Sequence, residues 1–115
     1  MALELVFANS AGWELVCRAL TTGWERLVGL LGTDARARPV ALVGCSSIHT
    51  LGMRYAIDVA FVSGDGHVLA SCRAVPPARL VGARGATYVL ERPTTKSPWP
   101  AVGDRLFATM RERCE

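Results

Sequence analysis

The chain has 115 residues, half of them hydrophobic and 20% charged, enough for one domain to bury roughly two thirds of the surface exposed on unfolding without a disulfide or metal. Its net charge of +3 comes from twelve scattered arginines and Lys96 against ten acids, so it lacks the dense basic face or interleaved aromatics of a nucleic-acid footprint. No apolar run approaches the roughly 20 residues of a membrane helix, and Met1-Ala2-Leu3-Glu4-Leu5 puts an acid where an export signal carries basic residues, which predicts a soluble, cytoplasmic protein with neither a membrane nor a nucleic-acid partner.

Leu3 to Phe7 alternates as a strand, Asn9-Ser10-Ala11-Gly12 reads as a turn, and Glu14 to Ala19 returns as a second strand, with a helix starting near Trp13 as the competing reading. In Trp24 to Leu31, the residues Trp24, Leu27, Val28 and Leu31 fall at i, i+3, i+4 and i+7, one apolar helical face. A threonine or Gly23 caps its start, Glu25 suits its positive end, and Gly32 can end it in the left-handed conformation. After an arginine-bearing loop, Val40 to Val43 is apolar on both faces and reads as a buried strand.

Gly44 to Gly52 reads as a polar loop leading into the central strand, Arg54 to Val62. There Tyr55, Ile57, Val59 and Phe61 share one face, and Ala56, Asp58, Ala60 and Val62 the other, so a single carboxylate sits among small apolar side chains. Gly64-Asp65-Gly66 signals a hairpin into a strand over 67–74. Pro76-Pro77 interrupts the sheet, Ala86 to Glu91 is another strand, and Pro93, Pro98 and Pro100 make the next segment a crossing loop with Trp99 tucked onto the core. Gly103-Asp104 turns into a last strand over 105–109, and Arg111 to Glu115 reads as a polar tail. Many short strands, one amphipathic helix and frequent Gly/Pro turns predict a mainly β domain, a small antiparallel β-sandwich or part-closed barrel with the helix at one side.

The order Gly29-Leu30-Leu31, His49-Thr50, Met53, Ile57-Asp58-Val59-Ala60-Phe61, Asp65-Gly66-His67-Val68, Leu90-Glu91 and Gly103-Asp104 resembles the bacterial and archaeal family called domain of unknown function 192, over about residues 14 to 110. The resemblance implies a compact, mostly β domain and brings no established reaction, cofactor or catalytic residue. The chain departs from the family in having Arg92-Pro93 where a glycine often follows the Leu-Glu pair, and Gly52 where an aromatic often precedes the methionine. Without that aromatic, space opens beside Met53 for packing, water or a ligand.

The candidate binding or loop-anchoring residues are Cys45, His49, Thr50, Met53, Arg54 and Asp58. A carboxylate inside an apolar strand must be paired or hydrogen-bonded, or else become neutral. Asp58 therefore either accepts bonds from the 45–52 loop, with Thr50 the first donor considered, or acts as an acid or base in a pocket. Cys45 and His49 invite a nucleophile pair or, with Cys72 or His67, a metal site, but Cys-x3-His supplies only two ligands at an undiagnostic spacing, so no metal and no cofactor is expected. The dispersed cysteines Cys17, Cys45, Cys72 and Cys114 are expected as free thiols. Arg54, Arg73, Arg79 and Arg84 flank the same region and either hold an anion or are solvated, while Trp13, Trp24 and Trp99 are read as core or core-edge. These features predict a non-enzymatic module binding a small anionic ligand or a protein partner, with a hydrolase or lyase using Asp58, His49 and Cys45 as the alternative.

Overall fold

A computed structural model describes residues 2–113 as ten elements in chain order: β1 Ala2–Ala8, β2 Glu14–Leu20, α1 Gly23–Val28, β3 Val40–Val43, β4 Ser47–His49, β5 Ile57–Val62, β6 Val68–Val75, β7 Leu80–Gly82, β8 Tyr88–Pro93 and β9 Phe107–Arg113. Seven strands form a mixed sheet in the order β6-β5-β8-β3-β2-β1-β9, and β4 with β7 forms a separate ribbon. The mainly β fold with one short helix follows the expectation. One pairing adds to it: β2 and β3 run parallel, because α1 and the loop after it carry the chain back across the sheet.

The edge strands β6 and β9 approach each other at one point. His67 bridges Arg105, the Leu106 N–H donates to the Gly66 carbonyl at 2.7 Å, and Val68 donates to Asp104 at 2.9 Å. Gly66 makes this approach possible: its φ is 94°, and a Cβ there would lie 2.1 Å from the Leu106 oxygen. The sheet is thus drawn together at one end without closing into a barrel.

The two faces of β5 pack as the alternation predicts. Ile57, Val59 and Phe61 join Leu20, Val40, Leu42 and Val89 under the helix side and the ribbon. Ala60 and Val62 face the other way, onto Leu5, Phe7, Cys17, Val68 and Leu90. Opposite Asp58 the β5–β6 register shifts by a bulge, where Ala74 adopts φ 54°.

Several boundaries differ from the sequence reading. The helix stops at Val28 because Gly29, not Gly32, forms its C-cap at φ 51°, while Thr22 and Glu25 form a capping box at its start. Its predicted apolar face is not a core face: Trp24 is 74% exposed and Leu27 59%, and the buried leucine is Leu30, beyond the helix. The 44–52 loop contains β4, and the segment after the prolines contains β7, two strands too short to alternate recognisably. β8 runs through Arg92 to Pro93, because Pro93 ends the strand where a missing N–H costs little. The predicted tail over 111–113 is the end of β9, paired to β1; Cys114 and Glu115 lie outside the described residues. Beside Met53, Leu31 occupies the space that Gly52 leaves, with its Cδ1 2.9 Å from where a Cβ of Gly52 would stand. Among the described residues no helix is long and apolar enough to cross a membrane.

Candidate functional site

Asp58 is fully buried, and the groups that satisfy it lie on β6, β8 and the loop after β8 rather than on the 45–52 loop. The Arg92 Nε donates to Oδ2 at 3.0 Å, the Ala74 N–H to Oδ1 at 3.0 Å and the Thr94 hydroxyl to Oδ1 at 3.1 Å, while the Arg73 guanidinium stands 3.7 Å away. Arg73 and Arg92 then donate onward to the Ser97 carbonyl, and Arg92 lies over the Trp99 ring at 4.5 Å. Trp99 is held by its indole N–H on the Val59 carbonyl, and Trp13 packs edge-on against it. Both carboxylate oxygens of Asp58 thus accept hydrogen bonds, and these bonds hold the bulge and the crossing loop. Asp58 is hydrogen-bonded as a buried carboxylate must be, but it does not anchor the 45–52 loop, because its donors are Ala74, Arg92 and Thr94.

Thr50, expected as a partner of Asp58, is also fully buried and ties the ribbon together. Its hydroxyl donates to the Pro76 carbonyl and accepts from the Arg79 N–H, both at 2.8 Å, and its own N–H donates to the Arg79 carbonyl. Pro76 to Arg79, left without a sheet partner by its prolines, is held by the side chain and backbone of this one residue.

The polar loop instead borders a cavity of about 390 Å³ between α1, the β3 end, the ribbon and β8, of a size at which small molecules bind. Cys45, His49 and Met53 line it, so three of the six candidate residues share one site, whereas Asp58, Thr50 and Arg54 are not on its wall. Arg54 is exposed beside a smaller hollow at Gly52. His49 and Cys45 are not hydrogen-bonded to each other: the His49 Nδ1 is buried and has no partner. His67 pairs with Asp65 in the β5–β6 hairpin at 3.1 Å, and no cluster of metal-ligating side chains occurs among the described residues. Cys17, Cys45 and Cys72 are free thiols, and burial pushes the Cys17 thiol up to about 12.

The floor of the cavity carries the residue that the sequence reading passed over. Glu91 stands on β8 between Val40 of β3 and Val59 of β5, is 4% exposed, and faces the cavity. Among the described residues no group hydrogen-bonds its carboxyl, and burial alone pushes it up to about 7 from an ordinary 4.5. Gly29 is packed against it, since a Cβ at Gly29 would meet Oε1 at 3.1 Å. The available signal was a carboxylate ending the apolar run Tyr88-Val89-Leu90, the same argument that singled out Asp58. Arg26 of α1 is the cation on the wall; its Nη1 donates to the Val43 carbonyl at 2.9 Å. Arg54, Arg73, Arg79 and Arg84 do not line this cavity.

No family model matches the chain, and no curated protein does. Two solved structures are similar to it. One is a "putative transcription regulator" from Sinorhizobium meliloti 1021, with 16% identity over 94% of each chain and a TM-score of 0.70. The other is a protein of unknown function from Novosphingobium aromaticivorans DSM 12444, with 17% identity, 92% of this chain and 84% of that one covered, and a TM-score of 0.68. At these identities what the three chains have in common is the fold.

Proposed function

We propose that this protein is a cytoplasmic, non-enzymatic binding module whose ligand seats between α1, the ribbon and β8, and that it is a member of the domain of unknown function 192 family. The observation that carries the binding reading is Glu91, a buried residue whose carboxyl receives no hydrogen bond or ion pair from the described residues and faces a largely apolar cavity. Proteins keep such groups satisfied unless the site serves something other than stability. Gly29, Leu30, Leu31, His49, Met53 and Glu91, from four separate pieces of the family resemblance, all line this one cavity. The exposed leucines Leu27, Leu51 and Leu80 at its mouth also suit an apolar side chain from a protein partner.

The test is a fragment screen by thermal shift, with hits mapped by amide chemical shifts. A ligand of this cavity raises the melting temperature by mass action, and its shifts centre on Gly29, His49 and Met53. Hits that map only elsewhere would sink the reading. The hydrolase or lyase reading keeps Cys45 and His49 on the cavity wall but loses Asp58, whose hydrogen bonds are structural. It gains ground only if blocking the Cys45 thiol abolishes a measured turnover.

A further inference from the structure

Three acids are buried among the described residues, Glu4, Asp58 and Glu91. Glu4 accepts from Arg38 at 2.6 Å and Arg111 at 3.0 Å, and Asp58 lies between Arg92 and Arg73. Glu91 has no such cation: Arg26, on the same cavity wall, spends a donor on the Val43 carbonyl and makes no ion pair with it. His49 also lines the cavity, and its Nδ1 is buried and has no partner. A carboxylate that receives no donor from the described residues calls for a ligand that donates. Beside Arg26, Cys45 and Ser47 the rest of the wall is largely aliphatic, with Leu30, Leu42, Ile57 and Met53 among its residues.

From this acid on the cavity wall, without the cations that Glu4 and Asp58 have, we infer that the cavity takes a primary amine on an aliphatic body, its ammonium group paired with the Glu91 carboxylate. This rests on the binding reading above and names the ligand class of that site. An ammonium group supplies three donors and a full positive charge, while a carboxylate ligand would meet Glu91 as a like charge in a poorly solvated site. Below about pH 7 Glu91 holds a proton, and the arriving ammonium displaces it to solvent. Amine affinity therefore rises with pH through that range. The other ionisable groups facing the site are Arg26 from α1, Cys45 from the loop after β3 and His49 from β4.

The experiment titrates the full chain with n-hexylammonium, hexanoate and 1-hexanol by calorimetry and amide shifts, at about pH 5.5 and about pH 8. The expected result is that n-hexylammonium binds at the cavity and does so about tenfold or more tightly at the higher pH. The pH effect persists in His49→Gln and disappears in Glu91→Gln, which also binds the amine about tenfold more weakly and 1-hexanol no differently. Hexanoate or 1-hexanol binding as tightly as the amine, or amine affinity flat with pH in the wild-type chain, overturns the amine assignment and leaves the cavity reading intact. If none of the three probes binds at the cavity, both are overturned.

Discussion

Asp58 and Glu91 show how differently two buried acids on neighbouring strands are used. Asp58 is surrounded by donors that belong to other segments, so its charge organises the β6 bulge and the loop around Trp99. Replacing it by Asn keeps an acceptor for the Ala74 N–H but leaves Arg92, itself 6% exposed, without its counter-charge. Removing one partner of a buried pair is costlier than the pair is worth, and Asp58→Asn is expected to destabilise the fold by about 3 kcal/mol. Urea denaturation measures this, and a loss below about 1 kcal/mol would mean the pair is not a stabilising clamp. The alternation of residues 54–62 made the buried position of Asp58 legible in the sequence. Its partners were not, because Ala74, Arg92 and Thr94 approach it only through a bulge and a strand end that leave no periodic mark.

Among the elements, the long strands were readable and the short ones were not. Val40 to Val43 shows its burial directly in four apolar residues, whereas β4 and β7 have three residues each, too few for alternation to register. The helix misled in a different way. Its i, i+3, i+4, i+7 pattern is real, but a six-residue helix held by a Thr22–Glu25 capping box lies at the rim of a cavity, so Trp24 and Leu27 face solvent while Val28 and Leu31 are only half-buried. The three-residue pairing of the ribbon is supplemented by the Thr50 side chain, which bonds Pro76 and Arg79 at its end. Thr50→Val preserves shape but leaves the Pro76 carbonyl and the Arg79 N–H without a partner, with an expected cost of about 1–3 kcal/mol. Native-state hydrogen exchange localises the effect: protection at Thr50 and Ala78, whose N–H groups bond across this junction, falls more than protection in β5. Uniform loss across the sheet would show instead that the ribbon is part of the main cooperative unit.

For the whole molecule, acids with shifted protonation set opposing dependences of stability on pH. Glu4 is held below the usual carboxylate range by Arg38 and then Arg111, and Asp65 is held at about 2 by the Ser63 hydroxyl and then His67. Both favour the folded state above their unfolded values and lose that contribution as pH falls. Glu91 has the reverse sign. Burial raises its folded value to about 7 from 4.5, so the folded state binds the extra proton in between, and its full contribution is present below about pH 4.5 and lost as pH rises through 7. Because 1 unit is worth about 1.4 kcal/mol, this penalty at neutral pH is on the order of 3 kcal/mol. Glu91→Gln removes it without touching Glu4 or Asp65. The variant should match the wild-type chain in stability near pH 4.5 and exceed it increasingly up to about pH 8, with the difference levelling off above that. Paired urea titrations across this range decide the matter. A variant less stable than wild type at pH 8 would mean that the Glu91 carboxylate is paired within the fold, and with that the argument for an amine in the cavity would lose its ground.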